Sequence, residues 1–340
     1  MSGIVTIVDL ARELKISPST VSRALRDHPA IKNQTKKVVQ ELAKKMGYQP
    51  NTLALSLLNK KTNNIGIVVP EITSYFFSSV ICGIQDILDQ QGQHAIISQS
   101  NESFETEIKG VNALLSSRVD GFLISSTFNT HDYSHFEKLQ QNNIPIVIFD
   151  RDCEVLNVNK VLVDDYDGAC QAVEHLISQG CRRIAHIAGP KNLSIAEHRK
   201  KGYLDTLIKH NLTVDNKLIV ESQFFQMEDG IEPTKRLLEL DARPDAIFCV
   251  NDGTAIGALL VLRENNVAVP DQIAVIGFDN DTFSSFSYPT LSTIDQPTYE
   301  MGMLAARILL KSINTPKEDR KIRIEILKPE LIIRSSSRRK

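Results

Sequence analysis

Long apolar runs are missing from this 340-residue chain. The longest, such as residues 144–149 (IPIVIF), are about six residues. A bilayer-spanning helix needs roughly 20, so a helical membrane span is excluded. The opening segment has no secretory apolar stretch, because Asp9, Arg12, Glu13 and Lys15 interrupt it, and a cytoplasmic location is expected. Cysteine is scarce. The five present (Cys82, Cys153, Cys170, Cys181, Cys249) are scattered, odd in number and never at C-x-x-C spacing. They read as reduced, buried thiols rather than a disulfide framework. The eight histidines show no metal-ligand spacing. His131 and His135 are four apart, but in a polar segment without a Glu or Cys partner, so a surface pair is expected. G-x-G-x-x-G, P-loop, H-E-x-x-H and G-x-S-x-G patterns are all absent. Neither an enzyme nor a bound cofactor is expected.

What is present is an ordinary globular composition, 42% apolar and 24% charged. The net charge of −2 is unevenly spread. Residues 1–61 hold eleven Lys/Arg against four Asp/Glu, a net +7, which leaves −9 for the remainder. A basic head on an acidic body suggests a separate polyanion-binding module.

Thr6 reads as the cap of a helix running to about Leu14, with Ile7, Leu10, Ala11 and Leu14 on one stripe. Ser17 before Pro18 reads as an N-cap and first helical position of a second helix, which turns Val21 and Leu25 inward. About three residues (KIS) join the two, which predicts a helix-turn-helix. A third helix is expected over about 33–46, burying Val38, Val39, Leu42 and Met46 and ending before Gly47. Ser19, Ser22 and Arg23 then lie away from the buried stripe. Short hydroxyls at a helix N-terminus suit phosphate oxygens, and the fork of Arg23 matches guanine O6 and N7. A capped surface helix with a solvated arginine has the same local pattern. The basic charge and the neighbouring helix favour DNA.

Pro50 then opens a short apolar segment, 53–58 (LALSLL), closed by NKKTNN. At under three turns it is too short to hold as an isolated helix in water. It is expected to fold only against a partner, either another copy of itself or DNA, unless it is an apolar linker docked on the body.

From Ile65 the chain alternates β-rich runs (IGIVVP, HAIIS, DGFLIS, IPIVIFD, KVLVDD, RRIAHIAGP, DAIFCVND, IAVIGFDN) with helical stretches. The stretches are expected at about 77–91, 105–117, 168–179, 196–211, 229–240 and 253–264. This alternation predicts an α/β fold of parallel, doubly wound sheets, and its length predicts two lobes. Ligands in such sheets sit beyond the carboxyl ends of the strands. Those ends carry Asp150, Asn251-Asp252 and Asp279-Asn280-Asp281, with Arg199 and Tyr75-Phe76-Phe77 nearby. Carboxylates, an amide, a guanidinium and aromatic faces suit a polyhydroxylated ring. Each Asp or Asn alone is equally a candidate helix cap.

Taken together, TIVDLARELKISPSTVSRAL, GYQPN, NIGIVVP, DGFLI, IPIVIFDR, HLISQGCRRIAHIAGP, HRKKGY, FCVNDGTAIGAL, VIGFDN and PTLSTIDQ resemble the lactose-repressor/galactose-repressor (LacI/GalR) family of bacterial transcription regulators over almost the whole length. The resemblance implies a helix-turn-helix head (1–49), a hinge helix and linker (50–62) and a core like periplasmic sugar-binding proteins (63–336). It puts the N-lobe at about 63–162 and 292–322, and the C-lobe at about 163–291 and 323–336. It also implies a homodimer on a near-palindromic double-stranded operator. Thr6, Ser17, Pro18, Ser19, Thr20, Ser22 and Arg23 match DNA-contacting positions of the head, and Asn51, Ala54 and Leu57 those of the hinge. Leu57 matches a leucine wedged into the minor groove. Tyr75, Phe76, Asp150, Arg199, Phe225, Asn251 and Asp279 match effector-pocket positions. A carbohydrate is the expected effector; a purine or a phosphoprotein fits the same architecture.

Three positions depart from the family pattern. Leu55 stands where many relatives have an arginine. Lys32 replaces the usual Ser cap of the third helix, leaving Asn33 as the expected cap. Pro18 occupies a position where many relatives place a base-reading side chain, so operator preference is expected to rest on Ser19 and Arg23. No leucine heptads follow Arg334, which argues against a coiled-coil tetramer. A soluble sugar receptor, the rival class, leaves the basic head unexplained.

Overall fold

The structure is a computed structural model and describes residues 5–48, 61–191 and 193–339. The chain divides into two compact units, Met1–Thr62 and Asn63–Lys340. Most of the expected hinge, including Asn51, Ala54, Leu55 and Leu57, lies outside the described residues.

The first unit holds three helices, α1 (Ile7–Leu14), α2 (Pro18–Leu25) and α3 (Asn33–Met46). Thr6 and Asp9 form a reciprocal capping box. The Thr6 N–H donates to the Asp9 carboxylate at 2.9 Å, and the Asp9 N–H donates back to the Thr6 hydroxyl at 3.4 Å. Ser17 caps α2 by accepting from the Thr20 N–H at 3.1 Å, and Pro18 opens the helix where no N–H is needed. Gly47, at φ +66°, ends α3 in the left-handed conformation that glycine adopts without strain.

The small core of this unit is Leu10, Ala11, Val21, Ala24, Val39 and Ala43. Three expectations are corrected here. Val38 is exposed, because α3 turns the i, i+4 pair Val39 and Ala43 inward. Leu25, Leu42 and Met46 are only half-buried, with Val21 and Ala24 the buried residues of α2. Lys32 holds the cap position of α3 without a side-chain bond, and Asn33 is the first helical residue rather than the cap.

The second unit runs β1 (Asn64–Val69), α4 (Tyr75–Gln90), β2 (His94–Gln99), α5 (Phe104–Ser116), β3 (Gly121–Ile124), α6 (Ser134–Gln141), β4 (Ile146–Phe149) and β5 (Asn159–Val163). It continues with α7 (Asp165–Ser178), β6 (Ile184–Ala188), α8 (Ser194–Lys209), β7 (Ile219–Glu221), α9 (Glu228–Leu238), β8 (Ala246–Cys249), α10 (Asp252–Glu264) and β9 (Ala274–Ile276). It closes with β10 (Thr293–Asp295), α11 (Thr298–Ile313), β11 (Ile324–Leu327) and β12 (Glu330–Ile332).

Two parallel sheets result. The first has the order β11-β5-β4-β3-β1-β2, and the second β7-β6-β8-β9. Single parallel bridges, Ile276 with Ser292 and Asp279 with Asp295, lay β10 beside β9, and β12 pairs antiparallel with β10. The inner strands are mostly apolar because helices cover both faces, with Lys160 of β5 and His186 of β6 as buried exceptions. On the first sheet, α4 and α11 bury one face and α5 and α6 the other. On the second, α9 and α10 bury one face and α7 and α8 the other. Each fully buried Phe or Ile contributes about 1.5–3 kcal/mol.

The lobe boundaries differ from the sequence expectation. β11 pairs with β5 at Ile324–Lys160 through Leu327–Val163, so it belongs to the first lobe. β10 lies against β9 and belongs to the second. The chain therefore crosses near Asp164, Gln296 and Lys328. Two crossings are tied together by the Lys328–Asp164 ion pair at 2.6 Å. Helices α6 and α11 were not foreseen, although the Met301–Leu310 stretch has helix-forming Met, Ala and Leu. Among the described residues, no helix is long and apolar enough to cross a membrane.

Candidate functional site

In the head, the start of α2 presents Ser17, Pro18, Ser19 and Arg23 exposed, with Thr20 and Ser22 half-buried. The three hydroxyls of Ser17, Ser19 and Thr20 share one cluster, with Oγ–Oγ and Oγ–Oγ1 distances from Ser17 of 2.8 Å each. Among the described residues Arg23 forms no ion pair, while Arg12 faces Asp9 at 3.4 Å and Lys36 faces Asp27 at 2.7 Å. A free guanidinium beside a hydroxyl-rich helix start is the chemistry of phosphate and base-edge recognition. Thr6, the cap of α1, is exposed, with its hydroxyl held by Asp9.

In the second unit, the carboxyl ends of the strands of both sheets border one cleft of about 730 Å³. All seven residues expected at an effector pocket line it. Tyr75, Phe76 and Asp150 come from the first lobe, and Arg199, Phe225, Asn251 and Asp279 from the second. Tyr75 opens α4 and is exposed at the cleft, while Phe76 and Phe77 line it as buried residues that also join the core and meet edge to face at 5.1 Å. Asp150 follows β4 at φ +66°, and Asp279 follows β9 at φ +118°. Both are left-handed positions that non-glycine residues occupy only under constraint, as happens where a side chain must be aimed.

Arg199 organises the second lobe's side. It is buried, and its guanidinium stacks 3.7 Å over the Phe278 ring. Nε donates to Asp165 Oδ1 at 2.8 Å and one terminal nitrogen to the Val250 carbonyl at 2.7 Å; the other terminal nitrogen is ion-paired with Asp165 Oδ1 at 2.7 Å, and Asp279 Oδ1 stands 3.7 Å away. Gln296, at a lobe crossing, donates to Asp279 Oδ1 at 2.6 Å. Burial raises the Asp279 carboxyl well above the usual range despite Arg199, and the charges of Asp252 and Asp150 push the same way. Burial likewise pushes Asp150 up to about 6, with Arg151 opposing.

Asn251 proves to be both cap and lining. Its Oδ1 accepts from the Thr254 N–H at 3.0 Å, and its Nδ2 donates to the Phe225 carbonyl at 2.8 Å, which positions that aromatic. Asp252 turns away from the cleft. Its carboxylate accepts from Ser284, Thr293 and the Asp281 N–H at 2.6, 2.6 and 2.9 Å, and burial pushes it up to about 7. Asn280 also turns away, to Asp295 and Arg334. Asp281 lines the cleft.

Sequence reasoning missed Arg151, Gln296, Phe283, Glu71 and Glu228, which also line the cleft. The only local signal was the position of Arg151 directly after Asp150. The histidine expectation is corrected. His135 is buried and its Nε2 meets Glu107 of α5 at 3.0 Å, a partner 28 residues earlier that sequence spacing does not reveal. No group of three metal-ligating side chains assembles among the described residues.

Comparison with known proteins agrees with this geometry. Residues 6–51 match the model of the bacterial regulatory proteins of the lacI family, and residues 173–337 match a periplasmic binding protein-like domain. The chain is 34% identical to the probable HTH-type transcriptional repressor ExuR of Bacillus subtilis (strain 168), over 99% of each chain. It superimposes on the lac repressor dimer bound to operator and the anti-inducer ONPF with a TM-score of 0.88 at 25% identity, covering 98% of this chain and 99% of that one. It matches the complex of the transcriptional regulator CelR with cellobiose with a TM-score of 0.74 at 27% identity, covering 98% and 99%. An exposed hydroxyl-and-arginine helix start and a two-lobed polar cleft thus occur on one chain with full-length repressor relatives, and the protein belongs to the lacI family of bacterial regulatory proteins, as a DNA-binding transcriptional regulator and not an enzyme.

Proposed function

We propose that the protein is a cytoplasmic, homodimeric repressor whose affinity for a near-palindromic operator is set by a sugar or sugar derivative held between its two core lobes. The observation that carries this reading is the cleft itself. Its aromatic and hydrogen-bonding residues come from both lobes, so a ligand touching Asp150 and Asp279 together favours one lobe arrangement over another. The solved cellobiose complex of a relative supports a carbohydrate.

Ser17, Thr20 and Ser22 would hold phosphates, Ser19 and Arg23 would carry base preference, and Thr6 and Pro18 would set the approach of the helix. Asn51, Ala54 and Leu57 would continue the contact through the minor groove. A palindromic operator needs two heads related by a two-fold axis. The apolar face containing Phe286 (80% exposed) and Tyr288 (91% exposed), with Leu259 and Leu260 of α10 beside them, is the surface we assign to the partner copy.

The test is selection of genomic fragments by the purified full-length chain, followed by mobility shift with and without a carbohydrate panel. A preferred near-palindromic fragment whose retention changes with one sugar is the expected result. Equal retention of that fragment and random duplex, with and without sugars, would overturn the reading.

A further inference from the structure

The two guanidiniums at the cleft are already committed. Arg151 donates to Glu102 at 2.8 and 3.0 Å and to the Ser126 carbonyl at 3.0 Å. Arg199 is held by Asp165 and the Val250 carbonyl. Neither Glu102 nor Asp165 lines the cleft, so each positive charge is balanced from behind. The lining itself then adds five carboxyl groups, Glu71, Asp150, Glu228, Asp279 and Asp281, and, among the described residues, no lysine or histidine. Each lobe sets a guanidinium beside a carboxyl at a matching distance. Arg151 Nε lies 3.7 Å from Asp150 Oδ2, and Arg199 lies 3.7 Å from Asp279 Oδ1. Arg151 Nε is buried with no hydrogen-bond partner. A ligand hydroxyl at such a pair donates to the carboxylate and can accept where a guanidinium N–H is open to the cleft, which the buried Arg151 Nε is not. A phosphate or carboxylate oxygen can only accept; it meets an ionised carboxyl as a like charge, and its own charge finds both guanidiniums already balanced.

We infer that the cleft is a charge filter. It admits uncharged or amine-bearing polyhydroxylated ligands and rejects the same sugars carrying a phosphate or a carboxylate. This rests on the carbohydrate reading above and narrows it to a class. The filter acts through unbalanced lining charge rather than through shape, so it weakens when lining carboxyls are neutralised.

Calorimetry on the full-length chain at pH 7.5 tests this, using neutral mono- and disaccharides, their amino derivatives, their 6-phosphates and their uronic acids. The expected result is a neutral or amino sugar that binds and loses more than about 100-fold in affinity on phosphorylation or oxidation. In the Glu228→Gln/Asp281→Asn double variant that gap narrows at least about tenfold. A 6-phosphate or uronate that binds as tightly as its neutral parent overturns the inference while leaving the carbohydrate reading intact. So does a gap that the double variant leaves unchanged. If no sugar of any charge binds, the carbohydrate reading fails and takes this inference with it.

Discussion

Replacing Arg199 by methionine is the sharpest perturbation the structure offers. The side chain is 2% exposed and makes two hydrogen bonds, one to Asp165 at 2.8 Å and one to the Val250 carbonyl at 2.7 Å, with a second guanidinium nitrogen paired to Asp165 at 2.7 Å. Methionine keeps much of the volume over Phe278 but leaves the buried Asp165 carboxylate without its cation. Removing one partner of such a pair costs about 3–5 kcal/mol, because the remaining charge stays buried and unpaired. For a unit of this size each kcal/mol lowers the melting temperature by about 2–4 °C, so a fall on the order of 10 °C is expected for the core transition.

The loss carries a pH signature with a definite sign. Arg199 lowers both Asp165 and Asp279, and burial raises both. Without the cation their folded-state values rise further above the unfolded value. A group raised in this way favours folding below its unfolded value and loses that contribution as pH rises towards its folded value. The deficit of Arg199→Met relative to wild type should therefore be small near pH 4 and grow towards neutrality. Urea denaturation of the full-length chain from pH 4 to 8, following the core transition, checks this. The further variant Arg199→Met/Asp165→Asn should recover part of the loss. A deficit under about 1 kcal/mol that stays flat with pH would refute the idea that this ion pair organises the cleft.

Other expectations follow from the same geometry. Arg23→Ala should lower operator affinity by about 1–3 kcal/mol and relax preference at one base position, measured by competition binding at fixed salt. Unchanged selectivity would remove Arg23 as the reader. Effector affinity should fall as pH drops below about 6, where the Asp150 carboxyl takes up a proton and stops accepting from a ligand hydroxyl. Calorimetry across pH 5–8 on wild type and Asp150→Asn would show a shallower slope in the second, the remainder belonging to Asp279. Gly302→Ala should destabilise the first lobe by about 1–3 kcal/mol in urea titration, because a Cβ there would collide with the Val80 carbonyl where α11 crosses α4.

Much of this protein was legible from local chemistry. A Thr6 cap, a Ser17-Pro18 start and a Gly47 stop act within a few residues, and they put α1, α2 and α3 within the observed bounds. Short β-rich runs marked eight strands, most of them apolar because helices cover both faces of the inner strands. The seven cleft residues were found by their place after those strands and by family likeness. Their electrostatics were not. Arg199 depends on Asp165, 34 residues earlier, Arg151 on Glu102, 49 earlier, and His135 on Glu107, 28 earlier. The lobe assignment of β10 and β11 rested on pairings with β9 and β5 that no local period encodes. Sequence alone determined which segments become helices and strands and which chemistry stands at their ends, because periodicity and capping are short-range. Only tertiary structure decided which charges are balanced from behind and which face the cleft, because an ion pair forms wherever the folded chain brings its two ends together.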